Sequence, residues 1–334
     1  MAVVSVRDVA ERAGVSVGTV SNVMNHPDKV SSATVAKVQA AIDALGFIRN
    51  DAARQLRDGR SKTIGLVVLD VRNPFFTDLA RGAEDKAADA GLTVTLGNSD
   101  DSTTREATYL DLFEQQRVHG VLISPYAEIT ERLRRLRDRG IPVVLVDRTS
   151  EDRAFSSVSV DDVAGGRLAA EHLIAQGRTR IAYIGGSAIR QVVDRLEGAR
   201  QAVAAHPGVT LESIETPGLS VIAGRTAGNE ILARPATERP DAIFAANDLV
   251  AMGVLQALMM QGQGGVRVPQ DIALIGYDDI DFAAAAVVPL SSIRQPSALI
   301  GQTAVEILLE EAADPSVEPR QVVFQPELVV RAST

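Results

Sequence analysis

Residues 5–25 read Ser5-Val6-Arg7-Asp8-Val9-Ala10-Glu11-Arg12-Ala13-Gly14-Val15-Ser16-Val17-Gly18-Thr19-Val20-Ser21-Asn22-Val23-Met24-Asn25. Two helical runs follow one another here, each with its own start signal. Ser5 stands before Val6-Arg7-Asp8, a serine cap with an acid at the third helical position, and Gly14 supplies the stop. Ser16 then caps a second run over residues 17–24. Only Gly14-Val15-Ser16 separates the two, the spacing of a helix-turn-helix. Val20 and Val23 can turn inward against Val9, Ala10 and Ala13. On the second helix Gly18, Ser21, Asn22 and Asn25 fall at i, i+3, i+4 and i+7 and make a small, polar stripe. Such a stripe suits a helix in a major groove, where hydroxyls and amides bond phosphates or base edges, although an ordinary solvated face carries the same pattern. A third run, from Ser31 or Ser32 to Leu45, places Val35, Val38, Ile42 and Leu45 at three- and four-residue steps and closes a three-helix core before Gly46.

Outside this stretch the chain changes character. Its 334 residues are enough for two or three packing units. Residues 1–62 hold nine Lys/Arg against six Asp/Glu, whereas the remainder holds 25 against 37. A mildly basic front on an acidic body suits a DNA-reading module joined to a part that does not touch DNA. The chain has no cysteine, and His26, His119, His172 and His206 form no metal-ligand spacing, so neither a metal nor a cofactor is expected. No apolar run resembles an export signal or a membrane span, so a cytoplasmic protein without a membrane partner is expected.

Asn50 can cap a short run over residues 51–56 that Gly59 ends, a helix too short to stand alone. Arg54, Arg57, Arg60 and Lys62 suit phosphate neutralisation. From Thr63 onward, β-branched runs at 64–69, 94–96, 121–123, 143–146, 181–184, 243–245 and 272–275 alternate with helical patterns, which reads as an α/β fold with parallel sheets. These strands end in Asp70, Asn98, Ser124, Asp147, Gly185, Asn247-Asp248 and Asp278. Ligands of open α/β sheets sit off the carboxyl ends of strands, so the residues mark a cleft, while any single Asp or Asn there can equally cap the next helix. No P-loop, nucleophile elbow or nucleotide-type glycine loop appears; Gly185-Gly186-Ser187 lacks the remaining glycine spacing.

The run of residues 8–16, with Thr19-Val20-Ser21-Asn22-Val23-Met24-Asn25, resembles the headpiece signature of the lactose/galactose repressor family of bacterial regulators. The similarity continues through Leu45-Gly46-Phe47 and Asn50-Asp51-Ala52-Ala53-Arg54-Gln55-Leu56. In the core it includes Asn73-Pro74-Phe75-Phe76, Val146-Asp147-Arg148, residues 246–253, Gly276-Tyr277-Asp278-Asp279 and residues 289–296. The resemblance implies a helix-turn-helix headpiece at 1–48, a hinge helix and linker at 49–62, and a two-lobed, periplasmic-binding-protein-like core at 63–334. Lobe 1 covers about 63–160 plus 292–324, and lobe 2 about 161–291 plus 325–334. It implies a repressor that binds palindromic operator DNA as a homodimer under control of a small-molecule effector, a sugar or related metabolite. Val17, Gly18 and Asn22 take the base-reading positions, and Ser16, Thr19, Ser21 and Asn25 the phosphate-contacting ones. Ala53, Arg54 and Leu56 take the hinge positions, Leu56 as a wedge in the minor groove. Asn73, Phe75, Phe76, Arg195, Asn247, Asp278 and Gln295 line the effector cleft. Val17 and Gly18 offer no side-chain hydrogen bond, which leaves Asn22 as the main polar reader. The other readings of the same core are a carbohydrate-handling enzyme and a free-standing ligand-binding protein.

Overall fold

In the computed structural model, residues 4–47, 61–126, 131–150, 153–186, 189–260 and 265–334 are described, and the chain divides into two compact units, residues 1–60 and 61–334. In the first, helix α1 (Val6–Ala13) starts from a complete capping box. The Ser5 hydroxyl accepts from the Asp8 N–H, and the Asp8 carboxylate accepts from the Ser5 N–H at 2.7 Å. Gly14 ends it in the left-handed conformation, φ 66°, which a glycine adopts without a Cβ penalty. Helix α2 (Val17–Asn25) begins on Ser16, whose hydroxyl accepts from the Thr19 N–H at 3.1 Å, and α3 (Ser32–Leu45) begins on Ser31. Val9, Val20 and Val38 are fully buried between the three helices, with Ala10, Val23 and Ala41 around them. Of the α3 residues expected inside, Val38 is buried, whereas Val35, Ile42 and Leu45 are half-buried. Ala41 takes the remaining inner position, because its single methyl lets α3 lie close against α1.

In the second unit, parallel sheets are flanked by helices. The first sheet has the order β11-β5-β4-β3-β1-β2, from β1 (Thr63–Val68), β2 (Thr93–Asn98), β3 (Gly120–Ile123), β4 (Val143–Val146), β5 (Ser156–Val160) and β11 (Gln321–Phe324). Helices α4 (Pro74–Asp89), α5 (Thr103–Gln115), α6 (Glu131–Asp138) and α12 (Ser297–Ala313) surround it. The second has the order β7-β6-β8-β9, from β6 (Arg180–Gly185), β7 (Thr210–Glu215), β8 (Ala242–Ala245) and β9 (Ala273–Ile275). Its helices are α7 (Asp162–Ala175), α8 (Arg190–Ala204), α9 (Val221–Ala233), α10 (Asp248–Met259) and the short α11 (Asp281–Ala284). Every pairing within these two sheets is parallel, and β3, β4 and β8 are buried throughout, as strands covered on both faces must be.

The chain passes between the sheets three times: after β5, after β10 (Ser292–Arg294), and between β11 and β12 (Glu327–Val329), which pairs with β10 antiparallel. The carboxyl-terminal residues return to the second sheet, where the Leu274 N–H donates to the Ser333 carbonyl at 2.8 Å. The strand ends Asp70, Asp147, Asn247 and Asp278 thereby face one cleft between the two lobes.

Candidate DNA-reading face and ligand cavity

On α2 the side away from the small core carries Ser16, Val17, Gly18 and Asn22, all exposed, with Thr19, Ser21 and Asn25 half-buried. Val17 is 45% exposed although apolar, so no core contact explains it. The polar side chains are not equally available. Ser16 is engaged as the cap, its hydroxyl 2.9 Å from that of Thr19, and Asn25 folds back to donate to the Ser21 carbonyl at 2.8 Å. The Asn22 carboxamide makes no hydrogen bond among the described residues, so both its donor and its acceptor are presented outward. Ala53, Arg54 and Leu56, with the hinge run at 51–56, lie outside the described residues.

The core holds a cavity of about 290 Å³ between its lobes. Six of the seven residues expected there line it: Asn73, Phe75, Phe76, Arg195, Asn247 and Asp278. The seventh does not. Gln295 is buried behind Asp278 and donates Nε2 to Asp278 Oδ1 at 2.8 Å, so it steadies a wall residue instead of forming the wall. Asn73 caps α4 through the Phe75 N–H and reaches across the cleft from lobe 1, donating to Asp278 Oδ2 at 2.8 Å. Phe75 and Phe76 stand edge to face, with centroids 5.0 Å apart, and offer aromatic surface to a ligand. Asn247 caps α10 by accepting from the Val250 N–H at 2.9 Å, which makes it both cap and wall.

Arg195 is placed by the closeness of two helices. A Cβ at Gly166 of α7 would stand 1.9 Å from the Arg195 carbonyl oxygen, and one at Gly198 of α8 would stand 1.9 Å from that of Val163. The glycines let α8 settle on α7, and Arg195 then donates to Asp162 at 2.8 Å and to the Ala246 carbonyl at 2.8 Å, over the face of Tyr277. A buried guanidinium so bonded is a fixed fork. Burial pushes the Asp162 carboxyl up while Arg195 pulls it down, and burial likewise raises Asp278.

Residues 5–50 match the description "Bacterial regulatory proteins, lacI family", and residues 170–334 match "Periplasmic binding protein-like domain". An HTH-type transcriptional repressor PurR of Photobacterium profundum is 35% identical over 98% of each chain. The chain belongs to the lacI family. The ribose operon repressor of Escherichia coli is also 35% identical, over 98% of this chain and 99% of its own. Among solved structures, a lac repressor dimer bound to operator and the anti-inducer ONPF superposes with a TM-score of 0.83 at 28% identity over 99% of each chain. LacI-family membership accounts for both halves of the architecture, a helix-turn-helix region and a periplasmic-binding-protein-like core.

Of the other cavity residues of this lacI-family chain, Asp70 and Asp147 were expected as strand ends that mark the cleft, whereas Gln191, Arg72, Asp100 and Asp101 were not expected. Asp147 and Gln191 line it face to face, and Asp70, Arg72, Asp100 and Asp101 form its rim. Arg72 holds Asp70 and Asp100 together at 2.9 Å each. Asp147 was visible as a strand end, and its backbone at φ 58° is a left-handed conformation that favours glycine and that aspartate tolerates. Gln191 lies one helical turn before Arg195 on α8, and that spacing is the signal that could have found it.

Proposed function

We propose that this chain is a sequence-specific transcriptional repressor that binds a palindromic operator as a homodimer and responds to a small hydroxyl-bearing effector in the interlobe cavity. The observation that carries this reading is the exposed, unengaged Asn22 on a helix fixed by its serine cap, in a chain of the lacI family. Residues 1–48 act as headpiece, 49–62 as hinge and 63–334 as effector-binding core. Val17 and Asn22 read bases with Gly18 allowing close approach, and Ser16, Thr19, Ser21 and Asn25 serve phosphates. Ala53, Arg54 and Leu56 contact the minor groove. In the cavity Asn73, Phe75, Phe76, Arg195, Asn247 and Asp278 hold the effector, with Gln295 supporting Asp278. The protein performs no catalysis and works in the cytoplasm beside its DNA. Selection of bound duplexes from a random pool, repeated with metabolite mixtures, tests the reading. A palindromic consensus whose recovery changes with one metabolite is expected, and the absence of any enriched sequence overturns it.

A further inference from the structure

Asp147 and Gln191 meet from opposite lobes: Asp147 follows β4, and Gln191 lies in the first turn of α8. Gln191 Nε2 donates to Asp147 Oδ2 at 2.8 Å and to the Asp147 carbonyl oxygen at 2.5 Å. Both residues line the cavity, and both are buried, 4% and 5% exposed. The second carboxylate oxygen of Asp147, Oδ1, is buried and has no hydrogen-bond partner among the described residues. Half of this carboxylate is therefore served, and it is served by an amide reaching across the cleft. Burial pushes the Asp147 carboxyl up, and Arg195, the buried cation that pulls it down, is already bonded to Asp162 and to the Ala246 carbonyl. Around the whole cavity, five aspartates face two arginines, and the other arginine, Arg72, is held by Asp70 and Asp100.

We propose that Gln191 is a built-in competitor of the effector: its amide bridges the lobes at Asp147, and the effector is a non-anionic molecule whose hydroxyl or ammonium donor displaces that amide. This rests on the reading of the cavity as an effector site. An anion brought to this wall would add an unpaired charge beside Asp147 and Asp278 in a poorly solvated space, whereas a donor forms a charge-assisted bond with the carboxylate. The competitor role has a sign opposite to that of a direct ligand contact. Removing the amide removes a bond that the effector must break, so affinity rises; removing a contact residue lowers it.

The test uses calorimetric titration of the full-length wild type, Gln191→Ala and Gln191→Asn with D-ribose, D-glucose, D-glucosamine and D-glucose 6-phosphate. Near-ultraviolet circular dichroism checks each fold. A neutral or aminated sugar is expected to bind, and the phosphate ester to bind more weakly than glucose. Gln191→Ala is expected to tighten binding roughly three- to tenfold, the worth of one hydrogen bond, with the shorter amide of Gln191→Asn in between. Weaker binding by the variants, preference for the phosphate ester, or no binding of any of these sugars overturns the proposal. A metabolite of other chemistry that shifts operator binding overturns it too, yet leaves the effector reading standing.

Discussion

Asn22 offers a carboxamide with both hydrogen-bonding ends open, on a helix whose other amide, Asn25, is turned back onto Ser21. An asparagine bonds adenine at N6 and N7 together, a pairing worth about 1–3 kcal/mol of discrimination. Asn22→Ala is accordingly expected to relax preference at one symmetric base pair and leave the others intact. Randomised-operator selection with wild type and variant measures this, and an unchanged preference at every position would refute the assignment. At the cavity rim, burial, then Asp70 and Asp100, push the Asp101 carboxyl up to about 6. A carboxyl raised in the folded chain costs stability where it must ionise, so the cost is full above about pH 6 and fades as the pH falls toward the ordinary carboxylate value. Asp101→Asn keeps a side chain suited to the left-handed backbone at φ 52°. Allowing for solvent screening, it should stabilise by about 1 kcal/mol near pH 7.5 and by little near pH 4. Thermal melts at the two pH values decide this, and an equal gain at both would contradict it.

Among the elements, the α7–α8 pair shows most directly how packing makes the site. Gly198→Ala drives a methyl into the Val163 carbonyl and forces the helices apart. The expected cost is about 1–3 kcal/mol of stability, as in overpacked cores, with displacement of Arg195 from Asp162. Chemical denaturation reads the first effect, and an unchanged midpoint would show that the close approach is dispensable. Helices were legible in the sequence where caps announce them: Ser5, Ser16 and Ser31 start α1, α2 and α3, and Gly14 and Gly46 follow α1 and α3. Central strands were legible from their β-branched runs. Strand β5 was not, because Ser156-Ser157-Val158-Ser159-Val160 looks polar, yet all five residues are buried. Gln321 and Glu311, far along the chain, take up two of its serine hydroxyls. Edge strand β7 hid for another reason: Thr210-Leu211-Glu212-Ser213-Ile214-Glu215 keeps much of its side-chain surface in water and shows no continuous apolar run. Gln191 can be placed at the cavity by its spacing from Arg195, but its bond to Asp147 is long-range and nothing local to α8 reveals it.

At the scale of the whole molecule, charge and connectivity divide the labour. The positive surplus of residues 1–62 and the negative surplus of the rest keep attraction to DNA at one end of the chain. In the core, Asp279 accepts from Arg294 at 2.8 Å and from Arg331 at 2.6 Å, tying the last two crossings to lobe 2. Asn73 to Asp278 and Gln191 to Asp147 then bridge the lobes across the cavity, so a ligand that bonds those aspartates differently alters how the lobes are held. Such a ligand shifts the molecule only as far as its affinities for the two arrangements differ. Equilibrium binding of the full-length protein, at physiological salt, to its selected palindrome and to bulk genomic fragments tests operator recognition most directly. At least about a thousandfold preference for the palindrome is expected, and equal affinity for the two DNAs would contradict sequence-specific operator recognition.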